Sequence, residues 1–382
     1  MLLIKLCATG TGKFEWRLPD YLVLVIWVWD LFANLMAGSP THVLTGFGGV
    51  FLDTVLMYFV SRRVFTDRGS YSELLLPLSI TAIVAGGLGI QEAFTGSSPL
   101  RSLFKYHAWV WVRKEDMYRL GLLRAQGATA HAIYYGVCML VVVGFLFSLK
   151  PRRGSKRLLL WQISMLFGVS GVLMSLSSGP VTALGAFVIF LAFYKFPGLI
   201  KPAILSAFAM AFVLQLVSNR SVFYLVCYID PIGGGSWYRA KLIEVAFQQI
   251  HEYWLFGTGG QRPDHWGPMI DSRKHVDLVN NYIIQMVDAG VLSLLMFLTS
   301  VSCITYYLVK QYRRVAQETQ FILFSLMSCY LAVLVSGISV GHYGGVQIYA
   351  NILLGALASL STVHFAGKTT GQKKIIAMNV QQ

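Results

Sequence analysis

Charge is scarce in this chain. Asp, Glu, Lys and Arg make up only 13% of its 382 residues, against roughly 25% in a soluble globular domain. That scarcity excludes an ordinary water-soluble fold. Cysteine is also sparse: the five (Cys7, Cys138, Cys227, Cys303, Cys329) show no CxxC and no paired spacing. Neither a disulfide framework nor a zinc site is indicated, so no metal is expected. The ten-residue alternating segments of a membrane barrel are missing too. Residues 1–20 lack the plan of a signal peptide, and the first apolar span is expected to serve as the insertion signal.

Apolar length is what the chain has in abundance. Apolar residues reach 55% and mean hydropathy is +0.60. Runs near the length that crosses about 30 Å of hydrocarbon recur throughout. We read an all-α integral membrane protein, one polytopic domain over 1–382, with ten spans. They cover roughly 21–38, 43–60, 74–90, 130–149, 158–176, 180–194, 202–217, 281–309, 320–336 and 346–366. The eighth is long enough to tilt or to project beyond the bilayer. Asp30 and Asp53 interrupt the first two spans at similar depth. They are expected to face each other or a cation, either as an ion or proton pathway or as a hydrogen-bonded structural pair.

Basic residues set the topology. Nineteen of the 31 Lys and Arg fall in one alternating set of connections, and the short connections of the opposite set, 37–42, 177–180 and 337–345, hold none. Short basic loops stay cytoplasmic, so both termini are expected on the cytoplasmic side. The other twelve cations sit six and six in two long outer loops, 91–129 and 218–280. Nucleic acid is not a sensible partner for that face; an anionic lipid-linked substrate in the bilayer is.

The polar weight lies in those loops. The first contains a mixed apolar and basic stretch with Trp109 and Trp111, fitting a helix at the membrane interface. It runs on through Arg119, Arg124 and Gln126 to His131 at the start of the fourth span. Such groups are costly at a membrane boundary unless they face a polar cavity or snorkel to the headgroups. In the second loop a Gly233-Gly-Gly hinge precedes an amphipathic stretch with Trp237, Ala240, Ile243, Phe247 and Ile250 on one face. Ser236 suits its N-cap. Arg239 falls in the first turn, where the helix dipole disfavours a cation. Gly257-Thr-Gly-Gly is expected to end the helix, as a turn or as a weak phosphate-binding signal. The loop carries Arg220 and closes on Arg273, Lys274, His275, Asp277 and Asn280. His275 or Asp277 is suited to act as general base on a hydroxyl; a solvated, capped helix end is the plainer alternative.

Three stretches together carry a family resemblance. They are Arg124-Ala-Gln-Gly-Ala-Thr-Ala-His-Ala-Ile-Tyr-Tyr-Gly; Tyr238-Arg with Glu252-Tyr-Trp-Leu-Phe-Gly-Thr-Gly; and Asp277-Leu-Val-Asn-Asn-Tyr-Ile-Ile-Gln-Met-Val-Asp-Ala-Gly-Val-Leu. In order and in their shared outer side, over residues 119–295, they resemble the O-antigen ligase and O-antigen/exopolysaccharide polymerase superfamily of bacterial membrane glycosyltransferases. Val279 stands where ligases place a His, and Trp254 where the family has Pro, so the likeness is to the polymerase branch. The resemblance implies a metal- and cofactor-independent transfer of glycan from undecaprenyl pyrophosphate to an acceptor glycan. It also implies chain-length regulator and export proteins as further partners. Arg124, Arg220 and Arg239 would bind pyrophosphate through forked hydrogen bonds. Asp277 and His275, oriented by Asn280, would serve the acceptor hydroxyl. Arg119, His131 and His342 are further candidates.

A transporter or flippase of lipid-linked sugars is the rival reading, and it calls for internal repeats and helices broken near the midplane in both halves. No repeat is found in the sequence. A non-catalytic subunit of an assembly complex is a third reading. The basic bias makes a direct prediction: reporter fusions at Lys156 and Arg314 read cytoplasm, and fusions near Gly234 and Gln126 read the outer side. A cytoplasmic reading near Gly234 would place the proposed site on the wrong face.

Overall fold

The computed structural model describes residues 14–38, 48–65, 71–100, 118–219, 221–229, 231–232, 235–271, 274–312 and 317–360. Arg220, the Trp109 and Trp111 stretch, Arg273 and the first two glycines of the hinge lie outside them. The described chain is almost entirely helical. The helices are α1 (Leu18–Ala37), α2 (Met57–Val64), α3 (Leu75–Thr95), α4 (Ala132–Ser148), α5 (Arg157–Met174), α6 (Ser178–Lys195) and α7 (Ile200–Val217). They continue with α8 (Ser236–Gln248), α9 (Gly267–Ile270), α10 (Asn281–Tyr312), α11 (Gln317–Gly337) and α12 (Gly345–Leu360). Seven helical segments among the described residues are long and apolar enough to cross a membrane, and α4 and α12 are shorter apolar helices. A helix occupies each of the ten stretches expected to be apolar spans.

The second of those stretches is not regular. A π-helical segment, Phe51–Leu56, precedes α2 and carries Asp53. The centre of the bundle is α4, fourteen of whose residues are buried. It is apolar on every side, the pattern of a helix with no face for solvent, and it packs against α3, α5, α6, α11 and α12.

The connections expected on the outer side gather at one end. Arg124 Nη2 donates to Ser177 Oγ at 2.8 Å, Asn280 Nδ2 to the Ile338 carbonyl at 2.9 Å, and Gly259 abuts Ala37 and Gly38. At the other end Arg62 and Asp20 form a buried ion pair at 3.1 Å. Tyr58 donates to the same carboxylate at 2.7 Å, and Arg17 donates its backbone N–H to it at 2.8 Å. A buried pair is sustained only when its remaining bonds are satisfied, and these two donors satisfy the Asp20 oxygens.

The 218–280 loop is itself folded. Leu242, Val245, Ala246, Tyr253, Trp266, Ile270 and Val276 form a small core that continues into Ile283, Met286 and Val287 of α10. Helix α8 differs from expectation in two ways. Its buried face runs through Ala240, Leu242, Ile243, Val245 and Ala246, whereas Trp237 and Phe247 are exposed. Phe247 instead stacks in parallel on Phe223 at 5.3 Å. The N-cap is Gly235, at φ 88°, with Ser236 inside the helix; the left-handed turn that opens α8 suits a residue without Cβ.

Helix α10 explains the length of the eighth span. It is interrupted at Gly290, where φ is 84° and ψ 169°. A break in an apolar helix leaves carbonyls and amides that must be satisfied within the protein. The Gly257-Thr-Gly-Gly run does this, rather than ending a helix, since α8 stops at Gln248. The Thr258 N–H donates to the Val287 carbonyl at 2.6 Å, and the Val291 N–H donates to the Trp254 carbonyl at 2.9 Å. Trp29 Nε1 donates to the Ala289 carbonyl at 2.8 Å.

The docking requires two glycines. A Cβ on Gly290 would lie 2.1 Å from the Leu255 oxygen, and one on Gly257, at φ +73°, 2.4 Å from Asp288 backbone. Gly290→Ala or Gly257→Ala should therefore destabilise far beyond the ~1–2 kcal/mol of left-handed strain alone. Gly121→Ala, at φ +78° in open space, should show only that strain. Thermal unfolding of the purified full chain measures both, and equal losses at the three positions would refute the docking.

Candidate functional site

The docked loop roofs a cavity of about 680 Å³, within the roughly 300–1,000 Å³ of small-ligand pockets. It runs from Gly260, Gln261 and Tyr343 at the loop end to Val23, Phe297 and Leu354. Leu354 is nine residues beyond Gly345, about 14 Å along the helix. Asp30 and Asp288 line it, and its lining holds no Lys or Arg. Asp30 Oδ1 accepts from Ser293 Oγ at 2.6 Å. The carboxylate within electrostatic reach of Asp30 is Asp288, not Asp53 as expected, because α1 packs chiefly along α10. Asp288 lies within a quoted motif, and a lone carboxylate in an apolar run could have marked it as a functional position.

Above the cavity the loop places Asp277. The Asp277 N–H donates to the Tyr238 hydroxyl at 2.9 Å, and that hydroxyl donates to the Asp277 carbonyl at 3.0 Å. The backbone is thereby fixed while the carboxylate stays exposed, 4.0 Å from Arg262 Nη1. Tyr134, three residues into α4, lies within electrostatic reach of Asp277. Tyr343 has Asp288, Tyr134, Arg262 and Asp277 in the same range. Chain segments near 134, 262, 277, 288 and 343 thus meet at one rim.

The other predicted residues support this rim. His275 Nδ1 meets Asp264 Oδ2 at 3.1 Å, and Asp264 Oδ1 accepts the Val276 N–H at 3.0 Å. The Val276 amide and the His275 ring hold the Asp264 carboxyl below the usual carboxylate range. Glu252 accepts from Trp266 Nε1 at 3.0 Å and meets His265 Nε2 at 2.9 Å. Burial raises its carboxyl, but those bonds outweigh it and the net shift is downward.

Asn280 is a cap. Its Oδ1 accepts from the N–H groups of Tyr282 at 2.9 Å and Ile283 at 3.1 Å, satisfying the first turn of α10. Its amide faces Ile338 rather than Asp277. Asn281 Oδ1 accepts the His342 N–H at 3.0 Å, which sets His342 on the cavity wall, where burial lowers its imidazole below the ordinary value.

The arginines divide. Arg124 is buried and ties the ribbon of β1 (Tyr118–Arg119) and β2 (Leu122–Leu123) to residue 177. Arg119 Nη1 donates to the Leu176 carbonyl at 3.3 Å. Buried Glu92 on α3 accepts the N–H groups of Gln126 at 3.1 Å and Gly127 at 3.0 Å, fixing the turn that follows. His131 caps α4, its Nδ1 accepting the Ile133 N–H at 3.2 Å. Arg239 is half-buried in the first turn of α8. Arg262 is the arginine placed beside Asp277; nothing in its local sequence set it apart from the other loop cations. Among the described residues no group of three or more His, Cys, Asp or Glu could hold a metal ion.

No protein-family model matches the chain, and no curated protein matches it. The family resemblance therefore stands on the quoted residues alone.

Proposed function

We propose that the chain is a membrane glycosyltransferase of the polysaccharide polymerase or ligase type. It spans the bilayer ten times and moves glycan from undecaprenyl pyrophosphate to an acceptor sugar hydroxyl on the outer face of the cytoplasmic membrane. The observation that carries this reading is the rim itself. Three stretches that resemble the family, far apart in the chain, contribute Tyr134, Tyr238, Asp277 and Asp288 to one place, with Arg262 beside them.

In this reading the acceptor oxygen attacks the anomeric carbon as the bond to the pyrophosphate oxygen breaks. Asp277 takes the hydroxyl proton. Arg262, with Arg239 and Arg220, neutralises the departing pyrophosphate, a task suited to forked guanidinium hydrogen bonds. Arg124 and Arg119 act as positioning residues that hold the outer connections. His275 acts through Asp264 to hold the 275–277 backbone.

The transporter reading gains one specific observation, the broken helix α10 beside two carboxylates. The break lies beside Trp29, eight residues before the end of α1, about 12 Å along that helix. What weighs against transport is that the sequence shows no internal repeat, which transporters of this kind are built from.

Asp277→Asn should lower turnover by about 10²–10⁴-fold, the range for loss of a general base, while His275→Ala costs much less. Arg262→Ala should lose most activity, and Arg262→Lys should recover little of it because the fork is lost. Polymer output in cells, with folded protein quantified alongside, measures each. Wild-type output from Asp277→Asn would remove the base from this rim.

A further inference from the structure

The cavity beneath the rim has the wrong charge for the pyrophosphate that the rim is proposed to bind. Its acidic side chains are Asp30 and Asp288, and its lining holds no Lys or Arg. Besides these it presents amides, such as Asn34 and Gln285, the ring of Trp27, and aliphatic side chains such as Val23, Val333 and Leu354. Two of its buried polar atoms have no hydrogen-bond partner: Gln285 Oε1 and Ser300 Oγ. Ser300 is 1% exposed. A buried polar atom without a partner costs about 1–3 kcal/mol, so these atoms call for something that supplies donors and acceptors inside the cavity.

We propose that this cavity seats the end of a neutral, hydroxyl-rich glycan, the acceptor, and rejects acidic glycans, while the pyrophosphate of the donor stays above it at the arginine rim. Hydroxyl groups donate to the carboxylates and to Gln285 Oε1, and both donate to and accept from Ser300. The ring of Trp27 offers a face to the C–H side of a sugar. A metal ion answers the two carboxylates less well. A volume of about 680 Å³ is far larger than an ion needs, and amides outnumber charges around it. An acidic sugar would bring a negative charge into a buried lining that holds two acidic side chains and no Lys or Arg to offset its desolvation.

The proposal rests on the transferase reading for why a glycan comes to the cavity, but its test is binding alone. The full-length protein in lipid nanodiscs is titrated by saturation-transfer NMR with maltotriose and triacetylchitotriose as neutral probes. Trigalacturonate at matched ionic strength is the acidic probe. At least one neutral probe should bind, and trigalacturonate should bind at least tenfold more weakly. Asn34→Ala and Asp288→Asn should each weaken the neutral probe about tenfold, the scale of one hydrogen bond to a polar or charged group. Should Asp288→Asn fail to fold, Asn34→Ala and Ser300→Ala decide. No binding of either neutral probe, equal binding of trigalacturonate, or unchanged binding by folded cavity variants would each overturn the seat. Polymer output from Asp277→Asn separates the two ideas. Absent sugar binding with a dead Asp277→Asn overturns the seat and leaves the transferase. Sugar binding with normal output from Asp277→Asn overturns the transferase and leaves a sugar-binding cavity.

Discussion

A backbone that leaves helical geometry inside an apolar bundle must find its hydrogen bonds within the protein. The break at Gly290 is where this chain meets that demand, and the loop-bearing half of the structure depends on how it is met. Thr258, Trp254 and Trp29 satisfy the freed groups of α10. In doing so they pin the 254–261 segment against the bundle. That contact fixes the loop core around Trp266, which carries the 275–277 segment, and it roofs the cavity lined by Asp30 and Asp288. Loop, cavity and rim are thus consequences of one interrupted helix.

The rim and the cavity differ in charge, and the difference has a function under the proposed reading. Arginines belong where an anionic leaving group must be neutralised, and carboxylates and amides where neutral hydroxyls must be held. The fold keeps them on separate elements, Arg262 and Arg239 in the loop and Asp30 and Asp288 in α1 and α10. It also places an exposed carboxylate, Asp277, at the boundary between the two environments, where a hydroxyl rising from the cavity would meet a phosphate held at the rim.

Much of this was legible in the sequence, for physical reasons. Long apolar runs mark helices wherever they fall, and the expected stretches all contain one. The absence of cations from 177–180 and 337–345 marked connections that the fold gathers at one end. Other features were not legible. The buried face of α8 follows Leu242, Val245 and Ala246 because it packs on the start of α10, a tertiary fact that spacing alone does not contain. Asp30 and Asp53 share a depth, but depth does not say which neighbour α1 packs against. Gly290 reads as an ordinary glycine in an apolar run until Leu255 is seen against it. Asn280 looked like part of a catalytic group because capping and catalysis use the same side chains; only its bonds to Tyr282, Ile283 and Ile338 distinguish them. Arg262 was one loop cation among several until the fold put Asp277 beside it.

The most direct test of the central claim is the fate of the lipid-linked glycan when the gene is deleted from its native host. The transferase account predicts that single repeat units accumulate on the polyprenyl carrier at the outer face, with polymer absent. Carrier-linked units trapped on the cytoplasmic face would contradict it and indicate transport, and unchanged polymer would remove the chain from glycan assembly altogether.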